Sequence, residues 1–283
     1  MQEITHGVYV ESGYHGVTVG AIVTKEDVIC VDSPTLPADA RAWRARLAKL
    51  TPKPVRYIVY TDVQRDRVLG AQYLEGATVA HESGWETMKG YGEVFRQQTA
   101  DLLSHSAPEA SLEITAGWRL VLPQLTLGRQ LTFYRGSTPI VVQHVGGPTP
   151  SSLWVLLPER NVLFAGDTVT CGAHPSLAEA DLETWITLLK KLNRKKTQPL
   201  TIVPGRGGAV ASLDDVDRLY HYLLDVRRRV RRLVRSGQPR SQAASLVQDL
   251  MPAFPARDDE RELVQRRVKA GLERAYEIYR SEP

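Results

Sequence analysis

Short β-rich runs and longer helical stretches alternate over the first two thirds of the chain. Val17 to Thr24 and Val28 to Val31 are strand-like runs separated by Lys25-Glu26-Asp27, a hairpin pattern that closes into Asp32-Ser33-Pro34. Pro37 to Leu50 reads as a helix, with Trp43, Leu47 and Leu50 at helical spacing and Pro37 suited to the first turn. Tyr57-Ile58-Val59-Tyr60 is the next apolar strand, and it runs straight into the polar segment Thr61 to Arg67. Such an abrupt change at the C-terminal end of a strand is where mixed folds commonly place chemistry. A short strand around Thr78 to Ala80 and a helix between Trp85 and Ser104 follow.

A second set of strands is expected at Leu120 to Leu122, Leu131 to Phe133, Ile140 to Val142, Leu153 to Leu157 and Val162 to Ala165, in meander-like order. Trp185, Ile186, Leu189 and Leu192 give the stretch Leu182 to Leu192 one apolar helical face. Leu200 to Val203 is a last strand, ending in Pro204-Gly205-Arg206-Gly207-Gly208. Strands followed by helix therefore occur twice. From Ser212 onward the pattern is helical only. Ser212 and Asp215 make a capping-box signature, and Val216, Leu219, Leu223, Val226, Val230 and Leu233 recur every three or four residues. Gly237-Gln238-Pro239 stops that helix, Ser241 to Leu250 predicts a short one, and Asp258 to Tyr279 a longer one.

Composition narrows the class. The chain has 283 residues, 42% hydrophobic and 24% charged, which excludes disordered and collagen-like proteins and leaves ample length for a large core. Two cysteines, Cys30 and Cys171, form neither a disulfide framework nor a cysteine-rich zinc module, and point to a reducing compartment. The start of the chain lacks a signal-peptide pattern, and no apolar run approaches the roughly 20 residues needed to span a bilayer. A cytoplasmic location without membrane contact is the expectation. The net charge of +4 is unevenly placed: residues 214–283 carry 15 basic and 12 acidic side chains, densest from Arg227 to Arg235. Apolar Val226, Val230, Leu233 and Val234 interleave with those arginines and no aromatic platform accompanies them. That pattern describes a helix packed on one side and solvated on the other, and it disfavours nucleic acid as partner.

Four polar loops each follow an apolar strand: Thr61-Asp62-Val63-Gln64-Arg65-Asp66-Arg67-Val68-Leu69-Gly70, then Gly147-Pro148-Thr149, then Gly166-Asp167, then Pro204-Gly205-Arg206-Gly207. In order and spacing this framework resembles the metallo-β-lactamase superfamily, whose corresponding motifs read Thr-His-x-His-x-Asp-His-x-x-Gly, Gly-His-Thr, Gly-Asp and Pro-Gly-His-Gly. The resemblance spans roughly residues 4–210, and the helical tail is similar to the C-terminal extension of one hydrolase-like subgroup. It implies a four-layer αββα sandwich over residues 1–211, with residues 212–283 as a helical extension packed on it. It also implies two zinc ions held by the histidines and aspartates of these loops, which together generate a hydroxide nucleophile.

The ligands depart from that pattern. Asp62, Gln64 and Arg67 stand at the first-motif histidines, Pro148 at the second and Arg206 at the last, so only Asp66 and Asp167 remain. Proline offers no side-chain donor, guanidinium does not deprotonate to become a ligand, and imidazole is the nitrogen donor that suits zinc. These vestigial positions imply that zinc is absent. Without cations, neighbouring carboxylates need neutralising, and Arg67 and Arg206 are placed to pair with Asp66 and Asp167.

The remaining candidates are weaker. Asp62, Gln64 and Asp66 are oxygen donors of the kind magnesium, manganese or calcium accept, but the adjacent arginines oppose a non-zinc ion. His144 lies near the lost second-motif histidine, and His174 follows the Gly-Asp loop. Ser151, Ser152, Thr61 and Cys171 have hydroxyls or a thiol without a histidine at recognisable spacing. Arg67 and Arg206 are candidate anion-binding residues, the latter in a glycine-rich turn.

The expected function is that of a pseudoenzyme kept for binding or assembly, with an unidentified small molecule or protein as partner. The competing class is a hydrolase acting on an ester, thioester or lactam-like substrate, with a non-zinc ion or a metal-free cleft in which arginine stabilises developing charge. A third reading makes the tail a homo-oligomerisation module, so that deleting residues 214–283 alters assembly and leaves the sandwich folded.

Overall fold

In a computed structural model, residues 1–136, 138–194, 200–256, 258 and 260–281 are described. The first sheet contains β1 (Gln2–Thr5), β2 (Val8–Glu11), β3 (Val19–Val23), β4 (Val28–Val31), β5 (Val55–Val59), β6 (Ala77–His81) and β7 (Leu125–Leu127), side by side in chain order. The first four strands pair antiparallel, and each pairing from β4 to β7 is parallel. Parallel neighbours require crossovers. These are α1 (Pro37–Leu50), the single turn α2 (Arg65–Val68), α3 (Glu82–Lys89), α4 (Glu93–Leu103) and α5 (Pro108–Gly117). The second sheet holds β8 (Gln130–Arg135), β9 (Thr138–His144), β10 (Leu153–Leu157), β11 (Val162–Thr170) and β12 (Thr201–Arg206), in the order β12-β11-β10-β9-β8. Only β11 and β12 run parallel in this sheet, joined through α6 (Leu182–Arg194). The tail supplies α7 (Leu213–Arg235), α8 (Leu246–Leu250) and α9 (Arg261–Ser281).

Three buried clusters stack these elements into four layers. Val8, Ile22, Val31 and Val59 of the first sheet meet Ile140, Val155, Phe164 and Val203 of the second. On the outer face of the first sheet, Trp43 and Leu47 of α1 and Met88 of α3 cover Ala21, Cys30 and Ile58. On the outer face of the second, Leu163 and Val169 pack with Trp185 and Leu189 of α6, Val216 to Val230 of α7, and Val268 and Leu272 of α9. All nine residues of β11 are buried, because both of its faces are covered. The architecture is an αββα sandwich. The outer-face cluster runs without a break across residues 211 and 212, so the tail forms part of the fourth layer.

Several expectations need correction. The helix placed between Trp85 and Ser104 is two helices, broken at Gly90-Tyr91-Gly92, and α5 begins at Pro108, whose missing N–H costs nothing in a first turn. Leu120 to Leu122 is not a strand. Its carbonyl oxygens accept from side chains, Val121 from Tyr60 Oη and Leu122 from Thr78 Oγ1, and pairing resumes only beyond Pro123, at β7. The N-terminal hairpin β1–β2 has no counterpart in the patterning. The capping box is present, with Asp215 N donating to Ser212 Oγ at 3.1 Å and Ser212 N to Asp215 Oδ2 at 2.9 Å. Among the described residues no helix is long and apolar enough to cross a membrane.

Candidate functional site

The C-terminal ends of β4, β5, β11 and β12 meet at one rim of the sandwich, and each delivers a charged side chain. Beyond β4, Asp32 adopts a left-handed backbone at φ 60°, which a short polar side chain tolerates better than most. Its carboxylate receives Thr61 N at 2.7 Å and Thr61 Oγ1 at 2.6 Å, which ties the β4 and β5 loops together. After β5, Asp62 Oδ1 accepts Gln64 N at 2.9 Å, and the local turn that results starts α2, with Arg67 N donating to Gln64 O at 3.0 Å. The turn carries Asp66 and Arg67 inward. In β11 the register shifts around Gly166, whose φ of 54° and close approach to Thr61 (2.7 Å from a virtual Cβ) both require glycine. That shift aims Asp167 at the gap between the sheets. Gly205 leaves the space this carboxylate needs: a Cβ there would lie 2.3 Å from Asp167 Oδ1 and 2.6 Å from Arg67 Nη2.

Arg67 is fully buried and sits at the centre. Its Nε donates to Asp62 Oδ2 at 2.9 Å, its Nη1 to Asp32 Oδ2 at 3.0 Å, and its Nη2 to Asp167 Oδ1. The guanidinium thus joins carboxylates from the loops after β4 and β5 and from strand β11. A planar, permanently charged fork with five N–H groups is suited to this, and lysine is not. Arg206, the last residue of β12, forms an outer shell. Its Nη2 reaches Asp167 Oδ2, and Asp66 Oδ2 at 3.0 Å, while Nε donates to Asp167 Oδ1 at 3.1 Å. Asp66 Oδ1 is buried and meets no donor among the described residues.

Burial and charge oppose each other throughout this network. Burial raises the pKa of Asp32, against the pull of Arg67 and Thr61. Burial also pushes Asp62 up to about 7, although Arg67 lies beside it, because Asp167, Asp32 and Asp66 add like charge. For Asp167, burial raises the pKa but Arg206 and Arg67 outweigh it, so this carboxyl stays below the ordinary aspartate range. Four aspartates face two arginines, which leaves a formal excess of negative charge that a proton on Asp62 partly relieves.

The other predicted positions do not join this network. Pro148 is buried in the loop before β10, where Thr149 N donates to Ser152 Oγ at 3.1 Å and Ser152 N to Thr149 O at 3.3 Å. Ser151 and Ser152 therefore shape a turn. His144 stacks on His81 with ring centroids 3.7 Å apart, and its Nε2 lies 2.8 Å from Pro150 O. His174, which follows the Gly-Asp loop, places Nε2 2.9 Å from Met251 O and packs against Tyr222 and Phe254 in the helical layer. Burial raises Cys171 to about 12, with Asp215 adding to the effect, so it is a thiol near neutral pH. Of the two arginines named for anions, Arg67 is sealed and its donors are engaged, while the Arg206 side chain keeps 12% exposure. Asp32 was missed by the motif reading. Its signal was an acidic residue directly after a wholly apolar strand, in Asp32-Ser33-Pro34. Among the described residues no group of three or more His, Cys, Asp or Glu side chains is disposed to hold a metal ion.

A two-sheet αββα sandwich with polar loops gathered at one rim defines a class of metallo-hydrolase folds. The chain belongs to the metallo-β-lactamase superfamily, whose sequence profile matches residues 13–206. No curated protein matches it. Among solved structures, it is similar to a metallo-β-lactamase from Pontibacter korlensis, at 19% identity and TM-score 0.59, over 79% of this chain and 97% of that one. The metallo-β-lactamase IND-7 gives 20% identity and TM-score 0.59, over 79% and 96%. The stereoselective inverting sec-alkylsulfatase Pisa1 from Pseudomonas sp. covers 98% of this chain with TM-score 0.71 at 15% identity, and the match spans 49% of that longer chain. At these identities the likenesses establish the fold.

Proposed function

We propose that this chain is a pseudoenzyme of the metallo-β-lactamase superfamily, with an arginine–carboxylate network in place of a dizinc centre, kept for binding or assembly. The observation that carries this reading is the fully buried Arg67 guanidinium, donating at once to Asp32, Asp62 and Asp167. The residues present do not fit zinc. The inward carboxylate oxygens already face guanidinium N–H groups, a cation placed among them would meet Arg67 and Arg206 at close range, and among the described residues no imidazole reaches the network. Paired with arginine, the carboxylates are also poor bases for activating water. Asp167 in particular is held ionised and doubly bridged.

The alternative, a hydrolase with a metal-free cleft, draws its support from Arg206 and Asp66, which retain some exposure at the outer edge of the network. One experiment addresses both readings: metal analysis of the purified protein after zinc loading and dialysis, alongside turnover of activated ester, thioester and β-lactam substrates. The expected result is zinc well below one equivalent and no turnover above background. Stoichiometric zinc, with turnover lost in Asp167→Ala, would overturn the proposal. Turnover without metal that is lost in Arg206→Gln would establish the alternative.

A further inference from the structure

The outward face of α7 carries a groove of about 740 Å³, bordered by Leu224, Arg227, Arg228, Arg231, Arg232 and Arg235. The apolar stripe Val216, Leu219, Leu223, Val226 and Val230 is buried against β11 and α6, which turns these arginines outward. They form two parallel rows on the helix surface. Arg227 and Arg231 are one turn apart, as are Arg228 and Arg232, and Arg235 extends the second row by a further turn. From Arg228 to Arg235 the row runs roughly 10 Å along the axis.

The first row already holds a carboxylate. Glu183 of α6 accepts from Arg227 Nη1 at 3.0 Å and lies 3.3 Å from Arg231 Nη2, and Tyr279 Oη donates to it at 3.0 Å. The second row does not repeat this. Arg228 reaches Asp225, but Arg232 and Arg235 meet no carboxylate among the described residues. Attraction to the negative end of a helix explains cations in the last turn, here Arg232 and Arg235, and not five arginines over three turns. Arg229 of the same helix is bound differently, closed off between Asp225 and Asp249.

We propose that this groove docks a carboxylate-rich segment of a partner protein, with the partner's acidic side chains seated on Arg228, Arg232 and Arg235 as Glu183 is seated on Arg227 and Arg231. Three features favour this occupant. Glu183 shows the arginine rows accepting a carboxylate within the chain itself. Among the described residues the groove offers no exposed ring for stacking bases, since Tyr279, beneath the Arg231 guanidinium at 4.6 Å, is buried. Apart from Leu224, its apolar lining is arginine stems, and among the described residues it lacks the fringe of large apolar side chains that inserts into a bilayer. The site is independent of the buried network, so it stands or falls separately from the pseudoenzyme reading.

The test uses the full chain and a fluorescein-labelled, glutamate-rich helical peptide with carboxylates at i and i+4, followed by anisotropy at several salt concentrations. The expected result is saturable binding that weakens with salt and falls about tenfold or more in Arg232→Glu/Arg235→Glu. It should fall measurably in Arg232→Lys/Arg235→Lys, which keeps charge but loses the fork. Arg266→Glu, on the exposed face of α9, should bind like the wild type. Absence of saturable binding, or an equal loss in Arg266→Glu, would overturn the proposal. So would tighter binding of a single-stranded RNA or of phosphatidylserine vesicles than of the peptide.

Discussion

Without its guanidinium, position 67 would leave Asp32, Asp62 and Asp167 facing one another in a space closed to water. Breaking a buried ion pair by removing one partner typically costs about 3–5 kcal/mol. Arg67→Ala should therefore lower stability by about that amount, read as a shift in the urea midpoint, and an unchanged midpoint would show that the network contributes no net stability. Asp62 predicts a pH dependence. It holds its proton up to about 7 in the folded chain, whereas an unfolded aspartate releases it near 4. Between roughly pH 4 and 7 the native state binds more protons, so this group's contribution to stability is lost as pH rises. Urea midpoints measured from pH 5 to 8 should decline in the wild type relative to Asp62→Asn, and parallel curves for the two proteins would refute this. Asp167 acts in the opposite sense. Its pKa lies below the ordinary value, so its contribution is present above that value and is lost only as the pH falls further.

Elements with strong periodicity and marked ends were legible in the sequence. The spans of α1, β4 and β10 coincide with their patterns, because Pro37 opens α1, Asp27 and Asp32 bracket β4, and a five-residue apolar run leaves β10 no other register. The capping box at Ser212 set the start of α7 in the same way. Elements failed where a non-local partner decided them. Leu120 to Leu122 has strand-like residues, but Tyr60 and Thr78 side chains take its carbonyl oxygens. β1 and β2 are four residues each, too short for a pattern to outweigh noise, and they exist by pairing along the edge of the first sheet. The break between α3 and α4 was carried by two glycines that a helical reading absorbed.

For the whole molecule, the tail is where packing matters most. Read along the chain, residues 212–283 are a helical extension, expected to pack on the sandwich. In the fold, Val216, Leu219, Leu223 and Val226 bury the outer face of β11 and the apolar face of α6. Truncation after residue 211 should thus expose Trp185, Ile186 and Leu189 and abolish cooperative unfolding of the remaining fragment, as followed by circular dichroism and urea titration. A fragment 1–211 that stays monomeric and unfolds cooperatively would restore the tail to a separable module. The sequence alone determined the framework of four strand-end loops and the loss of every imidazole from them, because strand patterning and ligand chemistry are properties of residue types at fixed spacing. The tertiary structure decided the full set of partners, giving Arg67 both Asp32 and Asp62 beside Asp167, and Asp66 to Arg206. Asp32 lies 35 positions from Arg67, and Asp167 lies 100 positions away. Their pairing exists because parallel strands from two sheets end at one rim, an arrangement with no local trace in the chain.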